Sequence, residues 1–416
     1  MSAATEHRAL RVDAKRLLRR LDALAEIGAI EGGGCCRLAF SDEDRRGRDL
    51  VAGWMRELGL EVSIDPIGNV FGLRRGAEPL DPVMTGSHID TVRTGGRYDG
   101  NLGVIGGLEV VQTLNDAGIV TRRPIVVAFF SDEEGARFAP DMLGSLVYVG
   151  GMPLDEALAA VSIDGKVLGE ELRRIGYAGT APLGQFRPSA YLELHIEQGP
   201  VLDAEGVTIG AVENLQGISW QEITITGQSN HAGTTPMRLR RDAGYCAAAI
   251  AAFLRALARE MGGSQVCTVG KVDLHPNLIN VIAARATLTA DLRNTDEELL
   301  RHAEARLEQF LRELASDEKV SIETRRLARF EPVTFDAALA DRVEAVAAQL
   351  GHSHRRMTSG AGHDAQMFAR ICPSAMIFVP SVKGISHNPA EHTEPADLQA
   401  GANVLLHTLL ELASQE

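Results

Sequence analysis

The sequence predicts an α/β protein whose mostly parallel sheet is interrupted by a smaller α+β insertion. Three observations predict it. Strand-like and helix-like segments alternate from about residue 50 to 212. The order then changes to β-α-β-β-α-β over roughly 213–329, and helix, strand, helix return from 330 onward. Strands alternating with helices build a layer around a parallel sheet, and the second order is the split-βαβ arrangement. The expected domains are a discontinuous one, 1–212 with 330–416, and an inserted one, 213–329.

The elements follow in order. The chain opens with "MSAATEHRALRVDAKRLLRRLDALAEIG", where Leu10, Leu17, Leu21 and Leu24 recur at roughly helical spacing and predict an amphipathic surface helix. Asp13, Asp22 and Glu26 interrupt the apolar run that a signal peptide needs. "PVMTGSHI", "PIVVAFFS" and "AYLELHI" are short runs rich in Val, Ile and Phe, and read as strands. Between the first two lies "GVIGGLEVVQTLNDAG", apolar at helical spacing and closed by Gly118. In the insertion, "ISWQEITITG" alternates like a half-exposed strand, and "DAGYCAAAIAAFLRALAREMG" reads as a helix. "VCTVGKVDLH", "ARATLTADLRN", the charged helix "TDEELLRHAEARLEQFLRELASDE" and "VSIETRRLA" complete it. The tail segments "FDAALADRVEAVAAQLG", "SAMIFVPS" and "EPADLQAGANVLLHTLLELASQ" are expected to complete the first sheet.

Composition narrows the function classes. The 416 residues are 45% hydrophobic and 24% charged, an ordinary soluble globular composition with room for two domains. A formal net charge of -14 argues against nucleic acid as the main partner, since a phosphate-binding surface needs clustered Lys and Arg. No apolar run approaches the ~18–20 residues that a membrane span needs. The five cysteines are scattered, with Cys35 and Cys36 adjacent, which fits a reducing compartment and points to the cytoplasm.

Four segments at the ends of expected strands hold polar clusters: His88, Asp90 and Asp99; Glu133 and Glu134; His195, Glu197 and Gln198; His387, Glu391 and His392. Ligands of open α/β sheets bind beyond the carboxyl ends of the strands, so four such ends can converge on one crevice. Imidazole nitrogen and carboxylate oxygen are the usual ligands of Zn²⁺ or Mn²⁺. Asp99, in the glycine turn "GGRYDGNLG", suits a carboxylate shared between two cations. Asp90, two residues after His88, can hydrogen-bond the far imidazole nitrogen and set its tautomer. Of the adjacent pair Glu133 and Glu134, one can ligate while the other takes a proton from water. Taken singly, an H-x-D at a strand end is ordinary turn chemistry and D-E-E an ordinary solvated helix start. His352 and His354 in "GHSHRR" read as an exposed basic segment, and His275, His302 and His407 as ordinary histidines.

Five segments stand in one order: "GSHIDTV", "GGRYDGNLGVIGGLEV", "FSDEEGARF", "LHIEQGPVL" and "GISHNPAEHT". Through them the chain resembles, from about residue 12 to 412, the di-zinc aminoacylase and carboxypeptidase family of metallohydrolases. It most resembles the branch of N-carbamoyl-L-amino acid hydrolases, allantoate amidohydrolases and β-ureidopropionases. The resemblance implies a zinc-exopeptidase-like catalytic domain with a ferredoxin-like lid and dimerisation domain inserted in it, and hence a homodimer. It implies His88, Asp99 and His195 as ligands of one divalent ion and Asp99, Glu134 and His387 as ligands of a second. Zinc or manganese are the first expectations, with cobalt or nickel also suited.

The same resemblance implies Glu133 as general base and His231, in "GQSNHAGTTPMRLRRDA", as the group that stabilises the oxyanion. Asn280 and Arg293 would bind the substrate carboxylate, the Arg through its planar fork. Gln198 and the loop from Gly360 to His363 would line the pocket. At one position the chain departs from the wider family: "HIEQG" holds a ligand that is usually acidic in the peptidases, and here it is His195. That histidine marks the carbamoyl-hydrolysing branch and argues against a peptidase or N-acyl-amino-acid hydrolase. The presence of Glu133 and all five ligand positions argues against a non-catalytic metal-binding protein. The implied partner is a small ureido carboxylate: an N-carbamoyl-L-amino acid first, allantoate second, β-ureidopropionate third.

Overall fold

The structure, a computed structural model, describes residues 9–415. The reading of the chain's opening as lacking a signal segment falls partly on residues outside that range. Two compact units emerge, the described part of Met1–Glu213 with Thr334–Glu416, and Asn214–Val333 between them. The strands run β1 (Glu61–Ile64), β2 (Val70–Arg74), β3 (Val83–His88), β4 (Ile125–Phe130), β5 (Ala190–Ile196), β6 (Ile209–Leu215) and β7 (Gly217–Thr226). They continue as β8 (Val266–Thr268), β9 (Val272–His275), β10 (Arg285–Asn294), β11 (Ser321–Phe330), β12 (Val333–Thr334), β13 (His354–Ser359) and β14 (Ser374–Val379).

The larger unit is built on a sheet of order β1-β2-β4-β3-β5-β14-β6-β12, with β13 also paired to β6. Its centre, β4-β3-β5-β14, is parallel, and both flanks are antiparallel. Every residue of those four central strands is buried, as both faces of a parallel sheet must be when helices cover them. That is why they read as unbroken apolar runs rather than alternating ones. The helix Asn101–Asp116 is buried on nearly all sides. It lies close on the sheet because Gly103 has no side chain, for a Cβ there would come within 2.6 Å of the Leu194 carbonyl and 2.7 Å of Ser87 Cβ.

The inserted unit carries a sheet of order β11-β7-β10-β8, with β9 also on β10, and every pairing given for it is antiparallel. Helices Ala243–Met261 and Glu297–Glu318 supply its apolar core. With β8 and β9 taken as one interrupted strand, this is the ferredoxin-like order.

Several sequence readings need correction. "VCTVGKVDLH" is two strands, broken at 269–271, where Lys271 exchanges backbone and side-chain bonds with Thr289 instead of continuing the ladder. The segment around His354 is not a plain exposed loop, since His354–Ser359 forms β13. Strands β1, β2 and β6 were not foreseen; β1 and β2 form one edge of the sheet. The first helix spans Ala14–Ala25 and buries Leu17, Leu21 and Leu24, while Leu10 precedes it.

A buried ion pair ties the turn after β4 into this frame. Arg48 and Asp44 are wholly buried and 2.7 Å apart. Arg48 also donates to the Gly68 carbonyl at 2.7 Å and to Ser131 Oγ at 3.1 Å. Removing one partner of such a pair strands the other charge. Arg48→Met is expected to destabilise the larger unit by about 3–5 kcal/mol, with part of the loss recovered in Arg48→Met/Asp44→Leu. The midpoint of urea unfolding reads this, and an unchanged midpoint in Arg48→Met would remove the pair from the account.

Candidate active site

The side chains of interest in the larger unit sit at the carboxyl ends of its four central strands. His88 is the last residue of β3, Glu133 and Glu134 follow β4, His195 is the penultimate residue of β5, and His387 lies on the loop after β14. Between them stands Asp99. Its Oδ1 is 3.2 Å from His195 Nε2 and 3.6 Å from His88 Nε2. Its Oδ2 is 3.4 Å from His387 Nε2, which in turn is 3.3 Å from Glu134 Oε2. Two groups of possible metal-ligating atoms result, each within 4.8 Å: His88, Asp99 and His195, and Asp99, Glu134 and His387.

Backbone carbonyls choose the state of two rings. His88 Nδ1 lies 3.0 Å from the Asp90 carbonyl oxygen, and His195 Nδ1 lies 2.8 Å from that of Ile196. A carbonyl only accepts, so each Nδ1 carries a proton, and Nε2, on the Asp99 side of each ring, is the nitrogen left to take a second proton or a cation. Asp90 therefore steadies His88, but through its backbone. Its carboxylate is 3.9 Å from Nδ1, beyond hydrogen-bond reach, and instead accepts the Glu133 and Glu134 amides at 3.3 Å each. The expected carboxylate–imidazole contact is thus replaced by a clamp between the turns after β3 and β4.

Charge in the crevice is lopsided. Asp90, Asp99 and Glu133 are buried. Burial pushes the Glu133 carboxyl well up, and the negative charges of Asp364, Glu134, Asp90 and Asp99 push it further. Burial also lowers His88 to about 4. For His195, burial acts downward but a hydrogen bond from a protonated Nε2 to Asp99 outweighs it, raising the ring to about 9, and a cation held between them would take that proton's place. Hydrogen bonds to Asp99 and Glu134 raise His387 to about 11. Glu134 Oε1 is buried without a hydrogen-bond partner among the described residues. Crowded carboxylates, imidazole Nε2 atoms facing them and an unmet buried oxygen are the donor set a divalent cation would satisfy, so the residues fit a metal.

The remaining expected residues fall in different places. Gln198 Nε2 donates to Asp99 Oδ2 at 2.8 Å, and its own amide is held by Ser381 Oγ at 3.0 Å. Gln198, His387 and Asp132 are non-glycine residues with φ of 57°, 53° and 54°, a clustering of strain typical of functional sites. His363 is buried against His195, ring centroids 4.5 Å apart, with Nε2 3.1 Å from Ser359 Oγ. Gly360 is exposed at the end of β13. In the inserted unit, His231 is exposed and bridges Val281, while the Ala232 amide donates to the Asn280 carbonyl at 2.9 Å, so His231 and Asn280 lie on paired segments. Arg293, on β10, pairs with Asp291 at 3.1 Å and stacks over Trp220.

Two supporting carboxylates had no assigned role. Glu391 accepts the Tyr98 and Asp99 amides at 3.0 and 3.3 Å and the Ser386 hydroxyl at 3.2 Å. It so ties the Asp99 loop to the His387 loop. Glu193, wholly buried, accepts Ser87 Oγ at 2.7 Å and the Ala365 amide at 2.8 Å. Glu193, His195 and His363 also bring possible ligand atoms within 4.8 Å of one another, but Glu193 is already satisfied by these donors. The signal was present: in "LELHI", Glu193 is two residues from His195, on the same strand face, in an otherwise apolar run.

The model of peptidase family M20/M25/M40 matches residues 84–411. An N-carbamoyl-L-amino-acid amidohydrolase of Rhizobium meliloti is 43% identical, covering 99% of each chain. An allantoate amidohydrolase of Escherichia coli is 36% identical, covering 94% of this chain and 96% of the relative. Among solved structures, an amidase of the hydantoinase/carbamoylase family from Burkholderia multivorans superposes with a TM-score of 0.94 at 46% identity, covering 98% of this chain and 99% of that one.

Glu391→Ala is expected to free the Tyr98 and Asp99 amides. Hydrogen exchange read by mass spectrometry should quicken in the peptide spanning 93–100, and unchanged exchange there would deny the tie between the loops.

Proposed function

The chain belongs to peptidase family M20/M25/M40, and within it we propose a metal-dependent amidohydrolase that cleaves the ureido C–N bond of N-carbamoyl-L-amino acids, giving the amino acid, carbon dioxide and ammonia. One observation carries the reading. Asp99 stands between His88 and His195 on one side and Glu134 and His387 on the other, in a chain related end to end to an N-carbamoyl-L-amino-acid amidohydrolase. His195, where the peptidases usually carry an acidic ligand, supports the carbamoyl-cleaving branch.

His88, Asp99 and His195 would hold one divalent ion and Asp99, Glu134 and His387 another, zinc or manganese first, cobalt or nickel next. When bound, these ions supply Lewis-acid polarisation of the ureido carbonyl and ease deprotonation of water. Glu133 takes the proton of the attacking water and returns it to the amino acid's nitrogen, so that C–N bond breaks as the new C–O bond persists, and the carbamate released breaks its remaining C–N bond to give carbon dioxide and ammonia. Asp90, through the Glu133 amide, holds that base in place. His231 donates to the carbonyl oxygen as negative charge develops. Arg293, its guanidinium fixed by Asp291 and Trp220, takes the substrate carboxylate with Asn280. Gln198 and Gly360 border the substrate, and His363 acts through the ring of His195 that it packs against. The inserted unit serves as lid and dimerisation domain of a cytoplasmic homodimer.

A second reading is favoured by the allantoate amidohydrolase among the relatives. Allantoate also offers a ureido group beside a carboxylate, so the same residues serve either compound; β-ureidopropionate is a third candidate.

The deciding experiment is ammonia release after metal stripping and reconstitution with Mn²⁺ or Zn²⁺. The compounds are N-carbamoyl-L-amino acids, their D-enantiomers, N-carbamoyl-β-alanine, allantoate and an N-acetyl amino acid. Release from the L-carbamoyl compounds is expected, release from allantoate alone would move the enzyme to the second reading, and release from none would refute both. Glu133→Gln is expected to lose turnover by about 10²–10⁴-fold while keeping its metal. Equilibrium dialysis should find two ions per chain and one in His387→Ala; two ions in that variant would break the ligand assignment.

A further inference from the structure

His231 differs from the ligand histidines in the direction of its hydrogen bonds. Its Nδ1 accepts two backbone amides, from Gly233 at 3.0 Å and from Thr234 at 3.2 Å. A nitrogen that accepts two N–H groups holds a lone pair, and in a neutral imidazole the proton is then on the other nitrogen. His88 and His195 show the opposite arrangement, each with Nδ1 against a carbonyl oxygen.

The turn that sets those two amides is itself held. Thr235 returns to the His231 carbonyl through its hydroxyl at 2.9 Å and its amide at 3.3 Å. Arg240 then spans the turn from outside. Its Nε donates to the Thr235 carbonyl at 3.1 Å and its Nη2 to the Ala232 carbonyl at 2.6 Å. A planar guanidinium fixes the separation of the two carbonyls it bridges, which a flexible ammonium does not. The Ala232 amide, in turn, is bonded to Asn280.

We infer that the Gly233 and Thr234 amides fix His231 as the Nε2–H tautomer, making it a hydrogen-bond donor and not a proton acceptor, and that Arg240 is the residue that positions it. This rests on the reading of His231 as the group facing the oxyanion. With Nδ1 occupied and Nε2 protonated, the neutral ring offers no lone pair for water. It can stabilise charge on a carbonyl oxygen but cannot replace Glu133 as base. The labour of the site is thereby divided: lone pairs where a cation is to be held, an N–H where an anion is to form.

The test is a long-range ¹H–¹⁵N correlation spectrum of the full-length, metal-reconstituted enzyme labelled with ¹⁵N-histidine. The His231 signals are identified by their loss in His231→Gln. An unprotonated Nδ1 beside a protonated Nε2 is expected, and the reverse pattern would overturn the inference. Arg240→Met should blur that pattern toward a mixture and lower kcat by about tenfold or more, with KM changed far less. Arg240→Lys should recover part of kcat. A variant Arg240→Met with the native tautomer pattern and native kcat would remove Arg240 from the role. The two readings fail separately. Absence of ammonia release from every ureido compound would refute the proposed reaction while the spectrum still reports the tautomer. A protonated Nδ1 in an active enzyme would refute this inference and leave the reaction standing.

Discussion

The Asp99 carboxylate is the contact on which the site depends, because one oxygen faces His88 and His195 and the other faces His387. A single anion shared in this way links the ends of β3, β5 and the loop after β14. It can do so only because the chain around it takes up almost no room. Gly100 has φ of 65°, and a Cβ there would fall within 2.4–2.5 Å of the His88 ring. Glycine at that point is a condition for Asp99 and His88 to meet at all. The close seating of the helix Asn101–Asp116 on the sheet carries the same logic one turn further along.

Around that carboxylate the frame is stiffened by buried cations that bond to backbone. Arg37, wholly buried, donates to the Ile89 carbonyl at 2.7 Å and to Asn101 Oδ1 at 2.9 Å. It thus joins the turn after His88 to the start of the helix after Asp99. Arg48 does the equivalent for the turn that leads to Glu133, through Ser131. Such side chains are costly to bury unless every donor finds an acceptor, and these two use carbonyl oxygens at turns together with Asn101, Asp44 and Ser131.

Hydrogen bonding to backbone also settles the chemistry of the rings. His88, His195 and His231 are the same residue in sequence and differ in what lies beside Nδ1. A carbonyl at His88 and His195 places a proton on Nδ1 and leaves Nε2 on the Asp99 side, and two amides at His231 leave the proton on Nε2. The proposed reaction calls for both kinds, since cations and a developing oxyanion require opposite partners.

The sequence by itself determined the fold class, the insertion, and the residues that meet at Asp99. It could do so because central strands of a parallel sheet are buried on both faces and stand out as apolar runs, with polar residues gathered where the runs end. It also determined the family, through motifs whose order spans nearly the whole chain. The edge strands β1 and β2 escaped notice, being short and only partly buried, and the break between β8 and β9 depends on Thr289, which is distant in sequence. Glu391 escaped for a related reason: a carboxylate that holds a loop by its amides has no spacing signature of its own. Asp90 shows the limit most plainly. Its position two residues after His88 pointed to the ring, yet its carboxylate went to two amides across the sheet and its carbonyl to the imidazole. Spacing along a chain sets which residues come near each other. Only the folded backbone decides which atom of each makes the bond, because amides and carbonyls from distant segments compete for the same partners.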